Sequence, residues 1–148
     1  MGYRNVQWSP LGVVVAIGEL ILFVVIVMAD AGETPWLVPF LVVFLSAMVG
    51  LVVWFSRLEV RVDGEAVHVV FGAGKPHRTF PLHTISQATA VRNKWWYGFG
   101  IRRTPQGWMY NAWGLDAVEL LLTDGKRFRI GTNDVDGLHS AITGRIGA

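Results

Sequence analysis

Few residues in this chain have the type and spacing for chemistry, and the most conspicuous is a glutamate in an apolar setting. Glu19 stands eight residues into an uninterrupted hydrophobic run that begins at Leu11. At the helical rise this places it about 12 Å along a helix, close to the midplane of a bilayer. A carboxylate at that depth must be protonated, hydrogen-bonded or turned towards another helix. On an antiparallel neighbour the residue at matching depth is near Ser46, so an intramembrane polar contact between Glu19 and Ser46 is expected. A proton relay and a contact to a partner's transmembrane cation are the functional alternatives.

The other reactive types lack a pattern. The four histidines, His68, His77, His83 and His139, are scattered without ligand spacing. There is no cysteine, which excludes disulfides, thiolate metal sites and a cysteine nucleophile. No serine lies in a nucleophile-elbow context, and no carboxylate pair sits in an apolar setting that would tune one as an acid. No catalysis, metal or cofactor is therefore expected. The remaining candidate is the segment from Arg92 to Trp113, RNKWWYGFGIRRTPQGWMYNAW, with four of the seven tryptophans. Its Arg92, Lys94, Trp95, Trp96, Arg102 and Arg103 form a candidate lipid or ligand surface, because indole rings and cations together suit the headgroup zone. Close sheet packing of glycines opposite aromatics is the alternative explanation for the same residues.

The elements that must position these residues begin with two apolar runs, 11–29 and 36–55, separated by DAGETP. Each is long enough as a helix, about 28 to 30 Å, for one bilayer crossing. Ser9-Pro10 and Thr34-Pro35 supply a cap and a first-turn proline for helices over about 10–30 and 35–56. The A-x-A triplet Ala29-Asp30-Ala31 would suit signal cleavage, but the first run exceeds a usual h-region and a second crossing follows at once. Trp8, Trp36 and Trp54 fall near the interfaces. Arg4 precedes the first helix, Arg57 and Arg61 follow the second, and the loop carries Asp30 and Glu33. The positive-inside rule thus predicts a multi-pass protein of the cell membrane with both termini cytoplasmic. Gly12 with Ala16, and Ser46 with Gly50, are small-xxx-small pairs that suit hairpin packing and, secondarily, a homo-oligomer.

From Arg57 the period changes from helical to alternating. Leu58, Val60 and Val62 alternate with charged residues, Asp63-Gly64 marks a hairpin turn, and Val67, Val69 and Phe71 return. Gly72 to Pro76 is a loop without P-loop spacing. Short strands are predicted over 78–82, at an edge because of Pro81, and over 85–91. A further strand carries Tyr97, Phe99 and Ile101, and another follows towards Trp113. A second hairpin turns at Asp124-Gly125, and Thr132 or Asn133 caps a final amphipathic helix over 134–142. The division is a helical hairpin over 1–55, with residues 1–10 as a short lead, and a β-rich domain over 56–148.

From Ser56 onwards 12 Lys and Arg stand against 8 Asp and Glu, so the chain's excess positive charge belongs to this domain. That draws it to anionic headgroups, whereas a nucleic-acid partner would need a denser basic face.

YGFGIRR, YNAWG, the run LLTDGKRFRIGTND and a helix containing LHSAI resemble the membrane-anchored bacterial PH-like (pleckstrin-homology-like) domain proteins of unassigned function. The resemblance covers roughly 56–148. It implies a bent, seven-stranded antiparallel sandwich or partly open barrel closed by a C-terminal helix. It does not imply phosphoinositide binding, since the Asp63-Gly64 turn is flanked by acids and the fold hosts many sites. The functional expectation is an integral membrane protein presenting a cytoplasmic PH-like domain for protein interaction or scaffolding. The alternatives are an anionic-lipid-binding or membrane-sensing module, and a small subunit of a larger membrane complex.

Overall fold

The computed structural model describes residues 2–30 and 32–146. Ala31, the last position of the cleavage-like triplet, lies outside the described residues. Leucine, valine and isoleucine around the whole circumference give two helices, α1 (Leu11–Asp30) and α2 (Leu37–Ser56). Both are long and apolar enough to cross a membrane, and only 6 % of each span is buried within the molecule. Neither is thus the core helix of a globular domain. Ser9 caps α1, its Oγ accepting from the Leu11 amide at 3.2 Å. The expected cap at Thr34 is not formed: α2 begins at Leu37, after a turn in which the Asp30 carboxylate accepts from the Thr34 amide.

The rest of the molecule is two β-sheets and a C-terminal helix. The first sheet is antiparallel in the order β1 (Tyr3–Trp8), β2 (Arg57–Val62), β3 (Ala66–Phe71), β4 (His77–Pro81). The second holds β5 (Ile85–Arg92), β6 (Gly100–Thr104), β7 (Gly107–Asn111), β8 (Asp116–Leu122) and β9 (Arg127–Gly131), in the order β5-β8-β9-β7-β6. Helix α3 (Val135–Ile146) packs on β5 and β8. Pro81 lies in an edge strand, where its missing donor is harmless.

Three differences from the sequence reading bear on function. Residues 3–8, expected as a lead to the first helix, are a strand paired with β2 along its whole length, from Tyr3 opposite Val62 to Trp8 opposite Arg57. The helical hairpin is thus inserted between two neighbouring strands of one sheet. The described strands also number nine rather than seven, and β7 runs parallel to β9 because the chain crosses over the end of β9 on its way to β8. In addition, the strand expected through Tyr97 and Phe99 is confined to 100–104, with Trp95–Tyr97 forming a short 3-10 turn.

Between the sheets lies the core: Leu58, Val60, Val62, Val67, Val69 and Phe71 from one side, Tyr110, Val118, Leu120, Phe128 and Ile130 from the other, closed by Leu138 and Ile142 of α3. Aromatic contacts thread it. Phe55 at the end of α2 meets Phe71, Phe71 meets Tyr110, and Phe128 joins Tyr110 to Phe80, with centroids 4.6 to 5.7 Å apart. The membrane-type hairpin is therefore packed into the same core that holds the sheets together.

Candidate functional site

The root of the hairpin, where α1 and α2 meet the sheets, gathers most of the chemically distinctive residues. No linker separates helix from strand: α2 ends at Ser56 and β2 begins at Arg57, and the Ser9 amide donates to the Ser56 carbonyl at 2.7 Å. Gly12 makes this closeness possible, since a Cβ there would lie 2.9 Å from Ser56 Oγ. On one side the loop after β3 climbs against α2. The Trp54 indole donates to the Lys75 carbonyl at 2.6 Å, and Gly72 sits under the ring at φ 58°, where a Cβ would come within 2.8 Å of it. On the other side β6 approaches the helices. Leu11, Leu51, Val52 and Phe55 face Phe99, Gly100, Ile101 and Arg102 across an apolar groove of about 420 Å³. Phe99 stacks on Trp113 at 4.8 Å, which fixes that wall.

The six residues of the candidate lipid or ligand surface do not form one patch. Lys94, Trp95 and Trp96 are together in the turn before β6, with the Lys94 ammonium 5.0 Å from the Trp96 ring centroid and Trp95 and Trp96 exposed by 76 % and 60 %. Arg92, at the end of β5, pairs loosely with Asp116 at 3.4 Å. Arg102 donates through Nε to the Phe99 carbonyl and lines the groove at the hairpin root. Arg103, one residue on, points to the opposite face of β6 and lines a separate concavity with Trp108 and Lys126. The turn itself is anchored on the second sheet: Tyr97 donates to Gln106 at 3.3 Å, and Asn93 accepts from Arg129 at 3.1 Å.

Sequence reading missed two buried glutamates, one on the outer face of each sheet. Glu59, 4 % exposed, is held by Arg4 from β1 at 2.8 Å and by Arg57 and Arg61 of its own strand. These charge-assisted bonds, led by Arg4, outweigh desolvation and lower its pKa to about 2. Glu119 takes Arg127 at 2.8 Å and Arg129 at 2.7 Å. The signal was present as Arg-x-Glu-x-Arg over 57–61, three side chains on one strand face. The consequence is that Arg4, Arg57, Arg61, Arg127 and Arg129 are engaged with the protein's own carboxylates, so the basic surface is smaller than the charge count suggests.

The histidines remain dispersed. His68 lies between Asp63 at 2.9 Å and Thr79 at 3.2 Å, and His139 of α3 contacts the Ala88 carbonyl. The Asp63 carboxyl, accepting from the amides of Glu65 and Ala66 and then from His68, is lowered to about 2. Its part is to fix the turn between β2 and β3. Within the spans, Glu19 and Ser46 line one groove of about 410 Å³ between α1 and α2, with Ala16, Leu20, Phe23 and Val42. They are not hydrogen-bonded to each other: Glu19 Oε2 is buried and has no partner. No protein-family model and no curated protein matches this chain.

Proposed function

We propose that the chain is a multi-pass protein of the cell membrane, with both termini cytoplasmic, whose β-rich part is a PH-like module that serves protein interaction or scaffolding rather than catalysis. The observation that carries this is the insertion of α1 and α2 between paired strands β1 and β2 without a linker. A domain tethered by a flexible segment samples all orientations, whereas this one presents each surface at a fixed height and angle to the bilayer. Fixed presentation favours docking of a partner that is itself at the membrane, because the orientational cost of binding is already met by the fold. The surface offered is the exposed Trp95–Trp96 edge-to-face pair on its anchored turn, a large apolar feature rimmed by Lys94. The two-sheet core closed by α3 suits the PH-like assignment, while the nine strands and the parallel β7–β9 pair go beyond the seven-stranded scheme.

The test is a photo-activatable residue in place of Trp95 or Trp96, in the full chain in native membranes. A discrete protein adduct from these positions, absent when the probe replaces Gly125, is the expected result. Lipid adducts alone would sink the protein-docking reading and leave the second one, an anionic-lipid-binding or membrane-sensing module. That second reading has its own support in the groove at the hairpin root, where apolar walls continuous with α1 and α2 end at Arg102. It is best tested with the full chain in nanodiscs, because residues 56–148 alone would lack β1 and leave β2 with an unpaired edge.

A further inference from the structure

Resting on the reading that α1 and α2 cross a bilayer, and giving the lipid-binding reading a site, we infer that the groove at the hairpin root holds one anionic glycerophospholipid, with an acyl chain against α2 and the phosphate on Arg102. The two ends of the groove differ in character. At one end Leu51, Val52 and Phe55 belong to a span whose outward side chains have hydrocarbon as their solvent, and Leu51 is 51 % exposed. Leu51 stands four residues before Phe55, so this wall reaches about 6 Å further into the apolar layer. At the other end lie Phe99, Ile101 and the Arg102 guanidinium, where the chain enters the edge strand β6. A molecule that fills the groove therefore passes from hydrocarbon to headgroup level, as a bilayer lipid does.

The polar end is built for an anion. Arg102 is held from behind: its Nε donates to the Phe99 carbonyl at 3.0 Å, while its two terminal nitrogens have no protein partner among the described residues. Phe99 serves both purposes because it lies between two glycines with left-handed backbone, Gly98 at φ 72° and Gly100 at φ 88°. Its ring stacks on Trp113 while its carbonyl meets Arg102. A guanidinium tethered through Nε keeps its terminal nitrogens as a fork for phosphate oxygens. Arg57, also at the root, is taken by Glu59 and has no such freedom. No Asp or Glu lines the groove, so the ammonium of a zwitterionic headgroup would find no partner there and an anionic headgroup is favoured. The floor asks for no water either. Ser56 Oγ donates to the Val52 carbonyl at 2.7 Å and Ser9 Oγ accepts from the Leu11 amide, which leaves an apolar surface for the chain. The volume of about 420 Å³ falls within the range of small-molecule sites, about 300 to 1,000 Å³.

The full chain is purified in a non-ionic detergent and mixed with equal amounts of dioleoyl-phosphatidylglycerol and dioleoyl-phosphatidylethanolamine, and the lipid it retains is counted by native mass spectrometry. One phosphatidylglycerol per chain is expected, preferred about tenfold over phosphatidylethanolamine. Arg102→Gln should lose that preference, whereas Arg103→Gln, which removes the same charge on the opposite face of β6, should keep it. Leu51→Trp, filling the apolar end, should lower retention, whereas Val43→Trp, on the same helix but outside the groove, should not; both positions are exposed, so neither change overpacks a core. Millimolar glycerol 3-phosphate should leave the lipid in place, and its displacement by this soluble phosphate would overturn the inference. Selective retention indifferent to both Arg102→Gln and Leu51→Trp overturns the site but leaves an anionic-lipid-binding module standing, whereas equal retention of the two lipids overturns the anionic site outright. Release of the chain from membranes by alkaline carbonate would instead overturn the bilayer reading, so the failures are distinct.

Discussion

Gly131 and Asn111 occupy space that only a glycine leaves free: a Cβ on Gly131 would lie 2.1 Å from Asn111 Oδ1 and 2.6 Å from its Cγ. The contact sits where the chain leaves β7 and crosses the end of the parallel strand β9 to start β8. Asn111 is 1 % exposed and donates through Nδ2 to the Gly114 carbonyl at 2.9 Å, which holds the crossover in its turn. The glycine at the end of β9 is thus the condition for the parallel pair, and the parallel pair is the condition for the β5-β8-β9-β7-β6 order.

Gly131→Ala should therefore destabilise the full chain by roughly 2 to 3 kcal/mol through overpacking. Asn111→Ala alone should cost about 1 to 2 kcal/mol, because it removes one buried hydrogen bond but also a buried acceptor, Oδ1, that has no donor. The double variant should be less destabilised than the sum, by about 1 kcal/mol, since the shortened side chain removes the contacts at Oδ1 and Cγ and leaves only the 2.9 Å approach to the Cα of residue 111. Thermal unfolding in detergent measures all three. Strict additivity would mean that the two residues do not share the space assigned to them.

Glu59 sets an acid limb. Its pKa is lowered from 4.5 to about 2 in the fold, so its contribution is fully present above about pH 4.5 and is lost as pH falls towards 2. Two of its three arginines are more than half exposed, which discounts the gain to roughly 2 kcal/mol. Glu59→Gln should be less stable than wild type at pH 6, and the two melting temperatures should draw together below pH 4.5 and converge only as pH reaches about 2. Parallel pH profiles would remove the carboxylate from the account.

Tyr3 sets the opposite limb. Partial burial, and then its bond to the Asp134 carboxylate at 2.9 Å, raise the phenol to about 12. A raised pKa contributes below the ordinary value of 10 and is lost as pH climbs from 10 through 12. Tyr3→Phe should cost about 1 kcal/mol at neutral pH and flatten the alkaline fall in stability. Because Tyr3 precedes α1 and Asp134 caps α3, its amide partner being Gly137 at 3.1 Å, the same variant should speed hydrogen exchange in the first turn of α3. Unchanged exchange there would separate β1 from the helix.

Legibility in the sequence followed the type of pattern. The two spans, the β2–β3 and β8–β9 hairpins and the final helix were readable because each has a single period and one solvent. β1 was not, for a physical reason. Its inward row is Tyr3, Asn5 and Gln7, which bond Asp134, Asn133 and the Trp113 carbonyl, so the buried side of this strand is polar and no hydrophobic alternation exists to be seen. The cap of α3 was misplaced by one or two residues for a related reason: Thr132, Asn133 and Asp134 all suit a cap, and Asp134 takes the role while Thr132 accepts from its amide. The split of Arg102 from Arg103 follows strictly from strand alternation, but only once residues 95–99 are known to form a turn. The crossover over β9 left no local mark beyond Gly131.

Orientation is the last expectation, and the fold strengthens its physical basis. Counted along the chain, the bias towards a cytoplasmic root is Arg4 against Arg57 and Arg61 on the same side, with none in the loop between the spans. Folding adds Lys75, drawn up to α2 by the Trp54 indole, and Arg102, in the groove beside Leu51. The rule depends on cations near the span ends rather than on net charge, so Glu59 does not cancel them. Asp30 and Glu33 alone occupy the opposite end. In intact cells a membrane-impermeant maleimide should label Glu33→Cys and leave Gly64→Cys unlabelled until lysis; Gly64 lies in the β2–β3 turn, where a side chain meets open space. The reverse pattern would put the whole β-rich part outside. Since β1 and β2 are paired to each other at the root, a mixed pattern with residues 3–8 and 57–62 on different sides is forbidden by the fold.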